Sequence, residues 1–237
     1  AGADVIGCPT IRIAPPESWK PLDRALAHLS GFDWIVFASA NGVDAVVERL
    51  AVLGKDMRAL GSARLAAIGP GTADRLASLR LQVDLQPKSL TSEGLLEAFR
   101  HAHVRGRWMF LPRAVEGRDV LPKGLRALGA KVLEVPAYRT MPASPGDAGE
   151  WRKRLSRGEL DAITFTSAST VTNFVKWLGS RFVRRVGAAS SPPVLWASIG
   201  PATSQALRAA GLRPSVEAKT STFEGLAAAL QNYLPNS

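Results

Sequence analysis

The chain has 237 residues, 46% of them hydrophobic and 21% charged, with 30 Lys and Arg against 20 Asp and Glu for a formal net charge of +10. That length can bury the core of one large domain or two small ones, and the composition excludes a disordered or fibrous chain. A single cysteine, Cys8, excludes a disulfide framework and an all-cysteine metal site, and fits a reducing, cytoplasmic compartment.

Residues 2–15, GADVIGCPTIRIAP, read as an extended segment running into proline, because proline disfavours helix in the residue before it. In FDWIVFASANGVDAVVERLAVLG (32–54), the apolar run WIVFAS suits a strand buried on both faces, and VDAVVERL has helical spacing. LAAIGPGTADRL (65–76) gives a strand, a turn and the opening of a helix, and KSLTSEGLLEAF (88–99) follows. RGRWMFLPRAVEGRDVLPKGLRAL (105–128) is an apolar strand followed by a helical pattern, with Arg113 and Arg118 expected in the loop after FLP. GAKVLEVPAYRTMP (129–142) is again extended into proline. LDAITFTSASTVTNFVKWLG (160–179), WASIGPATSQAL (196–207) and KTSTFEGLAAAL (219–230) then repeat the earlier order, the second helix stopped by Gly211. The longest uncharged stretch, 186–207, is cut by prolines and cannot be a uniform membrane span.

The recurrence is an internal repeat. Asp33 and Ser39 align with Asp161 and Ser167 at an offset of 128 residues, Gly69 and Thr72 with Gly200 and Thr203 at 131, and Gly2 with Gly129 at 127. The second copy's opening strand and helix, 105–128, have no counterpart in the first, so the chain is expected to begin inside a repeat. Alternating β and α predicts two similar α/β domains, each a parallel sheet flanked by helices. The paired proline-ending segments predict two adjacent crossings, a two-stranded β connection over 11–14 and 137–141. One domain then covers 15–136, and the other combines 1–10 with 142–237 around an expected cleft.

IGPGT and IGPAT, like SANG and SAST, follow a strand and open a helix, where unpaired N–H groups favour carboxylates or phosphates. Ser39, Thr72, Ser167 and Thr203 are therefore either ligand contacts or ordinary helix caps. Neither turn supplies a nucleotide fingerprint, and no histidine cluster, GxSxG elbow or partnered cysteine is present, so no cofactor and no metal are expected. The basic runs 152–154 and 184–185 are short and read as solvated faces, which argues against a nucleic-acid binder. A diffuse positive field instead suits a small anionic ligand. Tyr138 replaces Ile11 between the copies and is one of two tyrosines; it is either a packed strand residue or a neutral proton donor. Arg113 and Arg118 are either surface arginines or carboxylate clamps.

The segments FASANGV, AIGPGTA, TSEGLL, LPRAVEGRDVLPKGLRALGAKV, VPAYRT, AITFTSAS and SIGPATSQALRAAGL, in this order over nearly the whole chain, resemble the uroporphyrinogen-III synthase family. The resemblance implies a lyase of haem, sirohaem and cobalamin biosynthesis. Such an enzyme closes hydroxymethylbilane with inversion of ring D and loss of water, working as a cytoplasmic monomer without cofactor or metal. It places the family's tyrosine on Tyr138 and its substrate-binding hydroxyls on Ser39, Thr72, Ser167, Ser169 and Thr203. Ala38 and Asn41 depart from the Thr and the basic residue that many relatives carry. It also implies possible handover from hydroxymethylbilane synthase, excision from a fusion with a methyltransferase, and no nucleic-acid or membrane partner. A noncatalytic two-domain sensor of an anionic small molecule is the alternative.

Overall fold

The structure, a computed structural model, describes residues 2–143, 145–189 and 194–233. Its elements in chain order are β1 (Ile11–Ala14), α1 (Lys20–Ala27), β2 (Trp34–Phe37), α2 (Ala40–Val52), β3 (Arg64–Ala67), α3 (Pro70–Ser78) and α4 (Ser92–Arg100). There follow β4 (Trp108–Ala114), α5 (Val120–Ala127), β5 (Lys131–Pro142), α6 (Ala148–Ser156), β6 (Ala162–Phe165) and α7 (Ala168–Leu178). The last are α8 (Ser180–Ala189), β7 (Leu195–Ser198), α9 (Pro201–Ala209), β8 (Val216–Glu217) and α10 (Phe223–Gln231). The chain divides into two units, residues 13–140 and residues 1–12 with 141–237, and it passes between them within the neighbouring strands β1 and β5.

The 13–140 unit holds a five-stranded sheet in the order β1-β5-β4-β2-β3, with β5, β4, β2 and β3 mutually parallel. All four residues of β2 are buried, and their alternation serves two cores. Ile35 and Phe37 join Leu65, Phe110 and Val135 beneath α1, α2 and α3, while Trp34 and Val36 join Met109, Leu111, Leu95, Phe99, Leu121 and Leu125 beneath α4 and α5. Helices on both faces account for apolar runs without polar alternation in the strands.

The other unit has a parallel sheet in the order β6-β7-β8. One face carries the larger core, where Phe165, Phe174 and Trp196 pack edge-on and stacked with α6, α7, α8 and α9. Ala197 and Val216 face α10 through Leu226 on the other side.

Residues 2–10 form no strand, and Val5 and Ile6 stay 90% and 49% exposed. Their counterparts Val132 and Leu133 pair with Met109 and Phe110 of β4, whereas no described strand stands beside Val5 and Ile6. Only Ile11–Ala14 is a strand. No helix among the described residues is long and apolar enough to cross a membrane.

The repeated TSEG and TFEG are helix starts. The N-cap hydroxyls of Thr91 and Thr222 each accept a 3.0 Å hydrogen bond, from the Gly94 and Gly225 N–H groups. A Cβ on Gly94 would collide with the Ser89 carbonyl oxygen, and one on Gly225 with that of Thr220, so both copies need glycine there.

Candidate active site

Because β5, β4, β2 and β3 are parallel neighbours, their carboxyl ends share one edge of the sheet, the usual ligand edge of open α/β sheets. Four of the expected residues lie along it: Tyr138 on β5, Arg113 on β4, Ser39 after β2 and Thr72 in the first turn of α3. Arg118 follows in the loop after β4.

Tyr138 owes its direction to a bulge. The ladder runs Arg113 to Pro136 and then Ala114 to Tyr138, leaving Ala137 as the extra residue on β5. Strict alternation would set Tyr138 on the face opposite Val135 and Ala137. The bulge instead brings all three into the same buried cluster, with Tyr138 8% exposed. Its hydroxyl lies 2.7 Å from Ser39 Oγ. Ser39 is the N-cap of α2, extended at φ −158°, and its Oγ accepts the Gly42 N–H at 3.2 Å. The phenol oxygen thus stands beside the positive end of a helix of 13 residues.

Arg113 is in β4, past Pro112, rather than in a loop. The strand tolerates Pro112 because β4 reaches its bulge one residue later and nears its end. The Arg113 side chain is 12% exposed and pairs with Glu134 and Asp119 while donating to the Gly117 carbonyl, so the protein's own groups occupy its guanidinium. Lys123, and then Arg113, hold the exposed Asp119 carboxyl below its ordinary range. The loop is tied to β5 by Val115 N–H to the Tyr138 carbonyl at 3.0 Å and by Thr140 N–H to Glu116 Oε2 at 3.1 Å. Exposed Arg118 makes no ion pair among the described residues. Sequence reasoning assigned no role to Glu116, Glu134 or Gly42, although Gly42 lies in FASANGV and Glu116 in LPRAVEG; their partners reveal them.

Thr72 and Thr203 do not cap their helices. Gly69 and Gly200 are the N-caps of α3 and α9, and the threonines lie three residues on, buried at 6% and 3% exposure. The prolines at the first helical position displace the cap, since they need no partner for an N–H. In the second unit, Ser167 caps α7 in a reciprocal capping box with Thr170, and its Oγ lies 2.9 Å from that of exposed Ser169. Ser167, Ser169 and Thr203 lie at the carboxyl ends of β6 and β7, in parallel register. In the repeat Tyr138 aligns with Ile11, a residue of β1 in the five-stranded sheet, so the second copy has no phenol at the matching position. Cys8 packs among apolar side chains, and burial pushes its thiol up to about 11, which makes it a poor nucleophile.

Residues 1–228 match the family model described as Uroporphyrinogen-III synthase HemD. The chain belongs to that family. It is 39% identical over 236 residues to the uroporphyrinogen-III synthase of Synechococcus elongatus, covering 98% of this chain and 87% of that one. It is 27% identical to that of Chlorobaculum parvum, over 91% of this chain and 83% of the relative. Two solved structures share its fold. A mutant uroporphyrinogen III synthase from Thermus thermophilus aligns at TM-score 0.64 and 24% identity, covering 95% of this chain and 86% of that one. Uroporphyrinogen-III synthetase from Helicobacter pylori aligns at 0.63 and 17%, covering 95% and 91%.

Proposed function

We propose that this chain is a uroporphyrinogen-III synthase, a lyase that closes linear hydroxymethylbilane to the macrocycle with ring D inverted and water lost. The observation that carries the reading is the phenol of Tyr138, placed by a bulge at the ligand edge of the sheet and hydrogen-bonded at a helix N-terminus, in a chain matched to the family over residues 1–228.

In this reading, Tyr138 gives its proton to the departing hydroxyl on ring A, leaving an azafulvene. The substituted carbon of ring D attacks it to form a spiro intermediate, whose fragmentation and reclosure invert the ring. Unassisted closure gives the uninverted isomer, so the enzyme's main task is to hold the reacting carbons in the productive geometry. Eight carboxylates on the bilane call for many donors, and a net charge of +10 raises its local concentration. Exposed Arg118 is assigned a direct carboxylate contact, and Ser167, Ser169 and Thr203 are assigned contacts from the second unit. Thr72, buried in the first turn of α3, is assigned to the N-terminal turn that receives a carboxylate. Arg113, engaged by Glu134 and Gly117, serves by bracing the loop that presents Arg118. The proposal extends to a cytoplasmic setting, with the bilane received from hydroxymethylbilane synthase, and to a methyltransferase fusion as the source of the chain.

The test is incubation with freshly generated hydroxymethylbilane, oxidation, and chromatographic separation of the type I and type III isomers. Type III in excess of a protein-free control is the expected result. Type I alone from folded protein overturns the proposal in favour of a noncatalytic sensor.

A further inference from the structure

We infer that Ser39 is the positioning residue for Tyr138. Its hydroxyl donates to the phenol oxygen, which leaves the phenol's own proton free to be given to substrate. The inference deepens the synthase reading and rests on it.

The direction of the 2.7 Å hydrogen bond follows from what else Ser39 does. A hydroxyl has one proton and two lone pairs. One lone pair of Ser39 Oγ takes the Gly42 N–H at the start of α2. Accepting from a helix N-terminus polarises the hydroxyl, weakening it as a second acceptor and strengthening it as a donor. Were Tyr138 the donor, its proton would be spent inside the protein. With Ser39 donating, the proton that leaves Tyr138 departs with the substrate hydroxyl as water, and the Ser39 proton stays on Ser39. The same hydrogen bond and helix end stabilise the negative charge appearing on the phenol oxygen.

The duplicated sequence supplies an internal comparison. In α7 the N-cap Ser167 forms a capping box with Thr170 and meets Ser169, and the tyrosine position is Ile11. In α2 the equivalent of Thr170 is Gly42, which has no side chain to reach back to the cap. A Cβ at Gly42 would stand 3.2 Å from the Pro112 carbonyl oxygen and 3.6 Å from Ser39 Oγ. Glycine there lets the start of α2 close on β4, next to the strand that carries Tyr138. The two copies thus keep the N-cap serine and differ at its partners, Tyr138 against Ile11 and Gly42 against Thr170.

The test uses the chain's two tyrosines. Tyr233→Phe, in the exposed tail of the described residues, leaves Tyr138 as the one phenol to titrate by ultraviolet difference absorbance. Into that background go Ser39→Gly, which removes the hydroxyl but keeps a tolerated N-cap residue, and Ser39→Thr, which retains a hydroxyl. Ser39→Gly is expected to raise the titration midpoint of Tyr138 and to lower kcat for the type III isomer about tenfold with KM little changed. Ser39→Thr is expected to restore both. An unshifted midpoint in folded Ser39→Gly protein overturns the inference, as does a rise in KM with kcat retained, which would make Ser39 a carboxylate contact. A parent chain that makes no type III isomer overturns the synthase reading instead, and the titration alone then reports whether the hydrogen bond exists.

Discussion

Tyr138→Phe removes one oxygen and nothing else from a ring that packs with Val135 and Ala137. The hydroxyl's hydrogen-bond partner is Ser39, which keeps its bond from the Gly42 N–H when the phenol is gone. The folded state therefore loses one neutral hydrogen bond, about 1 kcal/mol, or about 3 °C in the melting temperature of a chain of this size. Loss of a general acid costs about a hundredfold in rate, equivalent to about 2.7 kcal/mol in the barrier. The two effects separate cleanly, because at room temperature the variant stays folded while type III formation falls about a hundredfold and spontaneous closure to type I dominates. The assay pairs isomer chromatography with a thermal melt of the same sample. Type III turnover equal to the parent's, with the melt intact, refutes Tyr138 as the proton donor; a melt lowered by more than about 10 °C, well beyond one hydrogen bond, refutes the assumption that only the proton was removed.

Arg118→Ala should raise KM for the bilane while leaving the melting temperature unchanged, since Arg118 is exposed and makes no ion pair among the described residues; steady-state kinetics over a substrate series decides it. Gly94→Ala and Gly225→Ala should each cost about 3 kcal/mol in denaturant titrations, because the new Cβ meets a backbone carbonyl and the better helix propensity of alanine cannot offset it. Asp23 is held below the usual carboxylate range by its hydrogen bonds from Arg49, at 2.6 and 2.8 Å. Its folded value lies below the unfolded one, so its contribution is complete above the ordinary carboxylate value of about 3.9 and disappears as pH falls through the folded value. Melting temperatures followed into acid should accordingly drop less steeply for Asp23→Asn than for the parent.

The repeat made the architecture readable, because duplicated strands such as WIVF and AITF keep their apolar runs and the helix starts keep their Thr and Gly pair. At residues 2–10 the extended segment that resembles 129–137 joins no sheet among the described residues, because a strand needs a partner and pairing is a property of the sheet. Tyr138 and Ser39 could be named from sequence; their contact could not, since 99 residues separate them and a bulge that no local pattern announces brings the phenol round. Arg113 shows the opposite limit. Its guanidinium suits a carboxylate clamp, but the carboxylate it meets is Glu134, reached only because β4 and β5 are neighbours. For Thr72 and Thr203 the sequence left a cap and a ligand contact open, and the caps are instead Gly69 and Gly200.

The extra residue at Ala137 makes the aim of the phenol a matter of counting. Side chains on a strand alternate, so inserting or deleting one residue of β5 between Val135 and Tyr138 reverses the direction of the phenol. Exposed positions of β5 such as Lys131 and Pro136 tolerate other extended residues, but the length of the strand beside Tyr138 is fixed. In this segment a gap, more than a replacement, would turn the phenol away from Ser39.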